Sequence, residues 1–403
     1  MKNIYHTIAL GLFASSAAAQ ITEGTVTTGP GYESQVWYSM ENGEIHSAPL
    51  NNWDLAFEIS GFTASIRVNA QKGVTVYQAP FSVSQWNELD TAGMSTTWDK
   101  LYNDNSRWSR GAFNLYPTSE FDLGWGVYNP ITHAVTGDSL YVMALANGSF
   151  IKLRFDALAG GIYNFTYANP DGTNEISAQV DKDDYTGKNF GYYSLETGEA
   201  LDREPFANSW DITFLKYSAD LGGTAYPVSG VFHNYDVSVA EVSNIESTDP
   251  WEAGFSAHIN SIGYDWKTFD FEEGWLLDDR NFCVQALNGN IYQLVFTNFE
   301  GSSTGVYEFG TSLFSALSTS QTDLNSFSLF PNPAHGEEIT INGKFTPDDR
   351  IEIFNLNGSL IKEQRVQNLN AVRLTTSGLE TGTYLVRIVS QNQVFTQKLT
   401  ISQ

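Results

Sequence analysis

The sequence predicts an all-β protein: two tandem, mainly antiparallel β-domains followed by a smaller C-terminal β-domain. Three observations predict it. The chain of 403 residues carries 26 Phe, 20 Tyr, 10 Trp and 34 Gly, a mixture suited to rings packed on pleated surfaces and glycines in turns. Five short blocks recur in one order at a nearly constant offset, the mark of a tandem duplication. Near the C-terminus, Ile351-Glu352-Ile353-Phe354 and Thr383 to Ile388 alternate or run apolar as strands do.

Taken in order, Lys2, the apolar run Ile8 to Ala14 and the small residues Ala17-Ala18-Ala19 read as a secretory signal peptide over residues 1–19. That run falls well short of the roughly 20 residues needed to cross a bilayer. No later stretch is long and apolar enough, so no transmembrane segment is expected in the mature chain. The first repeat, residues 32–168, opens with Trp37-Tyr38-Ser39-Met40-Glu41-Asn42-Gly43-Glu44 and continues with Trp53-Asp54-Leu55-Ala56-Phe57. The second, residues 189–312, answers with Tyr192 to Glu199 and with Trp210-Asp211-Ile212-Thr213-Phe214. Ile66 to Asn69 is echoed by Val231 to Asn234, and the turns Asn147-Gly148 and Asn288-Gly289 close matching hairpins. Each copy is about 130 residues, an ordinary domain size. One short helix is expected between Gln85 and Tyr102. Residues 169–188 and 313–325, rich in small and polar residues, read as linkers. In the Trp-Asp blocks the tryptophan is expected to anchor a core, and the aspartate to cap a turn or accept a backbone hydrogen bond.

Composition narrows the function. Forty-six acidic residues against 21 basic ones give a net charge of −25, a surface that repels phosphate backbones and argues against a nucleic-acid partner. Cys283 is the single cysteine and lies in an apolar strand-like run, so it reads as a buried structural thiol. The signal peptide contains no cysteine for lipidation.

The C-terminal domain, residues 326–403, opens on Pro331-Asn332-Pro333. It continues with a hairpin through Gly358, the strand led by Gly382 and Tyr384, and a closing strand that carries Lys398. These elements resemble the type A C-terminal sorting domain of the type IX secretion system of Bacteroidetes. The resemblance implies an immunoglobulin-like β-sandwich and handling by the type IX machinery after Sec export to the periplasm. It also implies a secreted or outer-surface location. The repeated unit resembles the HmuY-like haem-binding domain of Bacteroidetes through "YYSLETGE", "WDITF", "WDLAF" and "SIRVNAQKG". That resemblance implies haem as ligand, with His or Met as axial groups.

The candidate axial ligands are Met94 and His133 in the first copy and His233 and His258 in the second; the histidines are not placed alike in the two copies. Enzyme motifs fare poorly, and no catalytic residue is expected. Gly301-Ser302-Ser303-Thr304-Gly305 matches a nucleophile elbow in letters but joins two strand-like runs. No zinc-binding His pair occurs, and Asp181, Asp183 and Asp184 lack the register of a calcium loop. Glu272, Glu273, Asp278 and Asp279 around Trp275 could serve a sugar-binding face. The expected function is therefore ligand binding without catalysis, with haem implied by the resemblance. The alternative is a surface adhesion or structural module that binds glycan or host protein through aromatic loops.

Overall fold

The computed structural model describes residues 21–402, apart from 223, 243–253, 316–327, 335–337, 343–344, 346–348, 356–358, 367–370 and 391–392. The expected signal peptide, Gly358 and most of the linker at 313–325 lie outside the described residues. The chain divides into two compact units, Met1–Phe314 and Ser315–Gln403. Both are almost entirely β. The expected helix is a single turn, Met94–Thr97.

The first unit contains two lobes, each with two sheets over an aromatic core. In lobe one, a sheet ordered Ile176–Asp181, Ile162–Ala168, Phe150–Ala159, Ser139–Ala144, Thr75–Ser82 and Lys100–Leu101 is joined by the hairpin Gly126–Asn129/Ala134–Gly137. It packs on a second sheet ordered Glu199–Leu201, Phe190–Ser194, Leu55–Glu58 and Ile66–Val68, and the two enclose Phe57, Trp125, Phe155, Phe165 and Tyr193. In lobe two, one sheet runs Thr22–Thr27, Val306–Ser315, Ile291–Phe299, Asn281–Gln285 and Ser238–Val242. The other runs Ala225–His233, Ile212–Asp220, Ser34–Ser39 and Gly43–Pro49. Phe214, Trp266, Phe296, Tyr307 and Phe309 fill the space between them.

These lobes are not the sequence repeats. The first copy's opening strand, Ser34–Ser39, pairs with the second copy's Ile212–Asp220, with Tyr38 opposite Ile212. Reciprocally, Phe190–Ser194 of the second copy pairs with Leu55–Glu58 of the first, with Tyr193 opposite Leu55. The strands preceding them follow suit. Thr22–Thr27 pairs with Val306–Ser315 and Ile176–Asp181 with Ile162–Ala168. Lobe two is thus completed by an N-terminal arm, and the expected separate bodies at 32–168 and 189–312 are interlocked. The segment expected to link them holds the strand Ile176–Asp181, with Val180 and Tyr185 buried in the core of lobe one.

The Trp-Asp blocks are the fastening. Asp211 accepts the backbone N–H of Met40 at 2.7 Å, and Asp54 accepts that of Leu195 at 2.8 Å, each reaching the hairpin that the other copy donates. Asn69 and Asn234 hold the same corners from behind. Their amides donate to the carbonyls of Leu50 and Trp53 in one lobe and of Ala207 and Trp210 in the other. The aspartates therefore accept backbone hydrogen bonds, as their short side chains at a corner allow. The tryptophans differ from expectation in place: Trp210 is buried with Trp37 and Ala48, and Trp53 packs with Ala56, Phe190 and Tyr192, outside both lobe cores. The regular strands begin only at Leu55 and Ile212, so the tryptophans escape the alternation that points Leu55 and Phe57 inward.

The second unit is a sandwich. Ser328–Phe330, Glu338–Asn342 and Ala371–Thr375 form one sheet, and Leu360–Arg365, Arg350–Asn355, Gly382–Ser390 and Gln393–Ile401 the other. Ile339, Ile341, Ile351, Ile353, Leu374, Ile388 and Leu399 are buried between them. Asn332, between Pro331 and Pro333, is the tie of this unit: its amide donates to the carbonyl of Lys398 at 2.7 Å, and its oxygen accepts from Thr400 N at 2.9 Å. Lys398 itself is exposed on the last strand, and Tyr384 donates to the carbonyl of Glu380.

Candidate functional site

The sequence-predicted haem ligands lie in four different settings. Met94 is buried in a satellite core with Tyr77, Trp86 and Leu140. His133 occupies the turn of the hairpin Gly126–Asn129/Ala134–Gly137 at a φ of 55°, its Nδ1 within 2.8 Å of the Tyr128 hydroxyl. No hydrogen bond or ring contact joins these two residues among those described. His233 and His258 do come close, because His233 N donates to the carbonyl of Ile259, next to His258. His233 is 1% exposed. Its Nδ1 faces the carbonyl of Asn234 at 2.9 Å, which fixes the proton there; Nε2 has no hydrogen bond of good geometry, although the His258 backbone lies close enough to the ring to favour its protonated form. Burial holds this imidazole below its ordinary pKa. The tautomer suits an iron ligand. His233 and His258 line none of three cavities of the first unit.

The remaining sequence candidates resolve structurally. Gly301–Ser303 forms the turn between two neighbouring antiparallel strands, Ile291–Phe299 and Val306–Ser315. Gly301 is required there because a Cβ would collide with the Trp275 ring. Cys283 is fully buried, and burial pushes its thiol up to about 11. Asp181 caps its own turn by accepting from Asp183 N. Among the described residues no group of three or more His, Cys, Asp or Glu is disposed to hold a metal.

What the fold does assemble is an aromatic groove of about 440 Å³ on lobe two. Tyr32, Tyr226, Tyr264, Phe269 and Trp275 line it, with Ser229, Asp265 and Lys267 as polar groups. The donated N-terminal arm supplies Tyr32 at a φ of 61°, a strained position for a bulky residue, with its ring stacked on Phe299 at 6.2 Å. Trp275 is set edge-on to both Phe269 (5.3 Å) and Phe299 (4.8 Å). Lys267 donates to the carbonyls of Ser229 (2.7 Å) and Tyr264 (3.1 Å), beneath the rings of Trp266 and Phe299. Its burial lowers the ammonium pKa to about 7. Phe269 and Tyr226 remain 50% and 56% exposed, so the rings present faces to solvent. Sequence reasoning picked out Trp275 and its acidic neighbours but missed Tyr32, Tyr226 and Tyr264. Three distant segments bring these together, and no local pattern marks them.

Comparison with known families gives one assignment. Residues 328–402 match the family model of the secretion system C-terminal sorting domain. The second unit is that domain. It makes the protein a type IX secretion cargo, destined for the outer surface or the medium. No curated protein matches the chain. Among solved structures, one titled "Biofilm associated protein - BSP domain" is similar at 8% identity and a TM-score of 0.17, over 65% of this chain and 45% of that one. The chain thus spans less than half of that structure, and a likeness this slight carries no argument. No helix among the described residues is long and apolar enough to cross a membrane.

Proposed function

We propose that the sorting domain delivers a non-catalytic binding protein, and that the aromatic groove of lobe two is its ligand-binding face, suited to a glycan. The observation that carries this reading is the convergence of five aromatic side chains in one open groove with Asp265, Ser229 and Lys267 among them. Sugar rings present C–H faces that stack on aromatic rings, while their hydroxyls need a few fixed donors and acceptors. The groove offers both. In this reading residues 1–19 direct Sec export to the periplasm and are removed there, after which the type IX machinery recognises the sorting domain. A glycan array probed with the full chain tests the reading. Saturable binding to a defined set of glycans, lost in Trp275→Ala, supports it; an array without a hit, or hits unaffected by Trp275→Ala, removes it.

A second reading, haem, rests on the Nε2 of His233, which has no hydrogen bond of good geometry, and on the resemblance of the repeats to HmuY-like domains. Haemin titration decides it. A Soret shift with a defined endpoint that His233→Ala abolishes supports haem; gradual, non-saturating absorbance rejects it.

A further inference from the structure

We propose that the junction between the two lobes is a second binding site, independent of the aromatic groove, that takes the carboxylate end of a small molecule. A cavity of about 70 Å³ lies there, lined by Trp53, Arg67 and Tyr192 from lobe one, Tyr217 and Phe232 from lobe two, and Trp108. Trp108 bridges the lobes: it packs on Phe190 (5.9 Å) and Phe232 (5.5 Å), and its indole N–H donates to the carbonyl of His233 at 2.8 Å.

The chemistry of the lining is unbalanced toward donors. Arg67 is 6% exposed and forms no ion pair among the described residues. Its guanidinium donates to the carbonyls of Arg107 (2.8 Å), Trp108 (3.1 Å) and Asp104 (3.0 Å). A guanidinium carries five N–H donors, so two are left over. Trp53 adds an independent sign, because its indole N–H is buried without an acceptor. A buried cation with spare donors, beside an orphaned N–H, calls for an acceptor bearing negative charge. Burial lowers the Arg67 pKa to about 10 although the charges of Asp104 and Glu58 act the other way, and a carboxylate bound directly to the guanidinium would reverse that shift.

Size and surroundings narrow the ligand. At roughly 10–15 Å³ for each water-sized probe, the cavity of about 70 Å³ holds a group of about five to seven heavy atoms, which suits a carboxylate and the carbons next to it. The cavity shares Tyr102, Asn103, Asn105 and Ser218 with a groove of about 510 Å³ that reaches Lys100 and Arg110 at the surface. In a chain with 46 acidic and 21 basic residues, the two linings together hold Lys100, Arg110, Arg67 and Lys216 against Asp104 and Asp220. The carboxylate would enter the cavity and the rest of the molecule would lie along the groove. A sugar acid and a peptide C-terminus share this chemistry.

The test is calorimetric titration of the full chain with galacturonate, N-acetylglycine and acetate, and with the methyl esters of the first two. The expected result is saturable one-to-one binding of one or both larger acids, with each ester weaker by about tenfold or more, the equivalent of one charge-assisted hydrogen bond. Whichever acid binds identifies the source. Arg67 also fastens residues 104–108, so truncating it removes three hydrogen bonds that hold that segment. Trp53→Phe keeps an aromatic six-membered ring and removes the pyrrole part of the indole with its N–H; it is expected to weaken the acid several-fold while the protein still unfolds in one cooperative transition, which thermal unfolding checks. Trp275→Ala, in the other groove, is expected to leave this binding untouched. No saturable heat from either acid up to about 50 mM, ester binding equal to acid binding, or wild-type affinity in Trp53→Phe would each overturn the proposal.

Discussion

Replacing Asp211 by Ala is the sharpest probe of the strand exchange. The carboxylate is 4% exposed and accepts two backbone N–H groups, Met40 at 2.7 Å and Leu287 at 2.9 Å. The first belongs to the N-terminal arm and the second to lobe two itself. Truncation orphans both donors at about 1–3 kcal/mol each. Part of that loss is offset because burial raises the Asp211 pKa, so the ionised side chain is itself costly to bury. A net loss of about 2–4 kcal/mol follows, or roughly 3–7 °C in melting midpoint for a unit of this size at about 2.1 cal/mol/K per residue. Asn is not expected to rescue, since it keeps one acceptor oxygen and turns an N–H toward a backbone donor. Urea denaturation monitored by tryptophan fluorescence measures the loss. Limited proteolysis locates it: the arm, residues 22–49, should be cut first in Asp211→Ala and remain protected in Asp54→Ala, where the released hairpin is 190–201. A change below about 0.5 kcal/mol in Asp211→Ala, or the same first cut in both variants, would refute the reasoning.

Trp210→Ala removes a side chain that is 2% exposed and should cost about 3–5 kcal/mol; an unchanged midpoint in thermal unfolding would contradict its packing against Trp37. Glu204 is fully enclosed, with its carboxyl accepting from Asn189 N, Phe190 N and the Tyr192 hydroxyl, yet burial raises it from 4.5 to about 7. A raised acid contributes stability that is fully present below pH 4.5 and is lost as pH rises through 7, here about 3 kcal/mol. Glu204→Gln should therefore flatten the fall in stability between pH 4.5 and 8 seen in urea titrations; an identical slope in variant and wild type would refute the assignment. Asn332→Ala breaks both bonds that tie the proline-flanked opening to the last strand of the sorting domain. It should cost that unit about 1–3 kcal/mol, read as earlier amide exchange at residues 398–401.

The β character, the duplication and the C-terminal domain were legible because each rests on local pattern: alternation, turn residues, and blocks repeated in order. The exchange of strands was not. Ser34–Ser39 and Phe190–Ser194 are buried on both faces, and such a run does not say which neighbour covers the edge, so a repeat that closes on itself and one that closes on its partner read alike. The persistence of Asp54 and Asp211 was visible, and their role as acceptors was inferable from residue type. Only the fold reveals that each acceptor serves the other copy. The aromatic groove was half legible: Trp275 stood out among carboxylates, while Tyr32 reaches the site because the arm is donated to lobe two. The settings of the histidines were not legible, since His133 is held at a turn and His233 at a strand end by backbone geometry that single residues in a sequence do not disclose.

The most direct test of the functional reading is hydrogen–deuterium exchange of the full chain with and without a saturating glycan taken from the array. The account predicts new protection confined to residues 30–32, 226–229 and 264–275, the three segments that build the groove. Protection centred instead on residues 233 and 258, or none at any of the three segments, would contradict it.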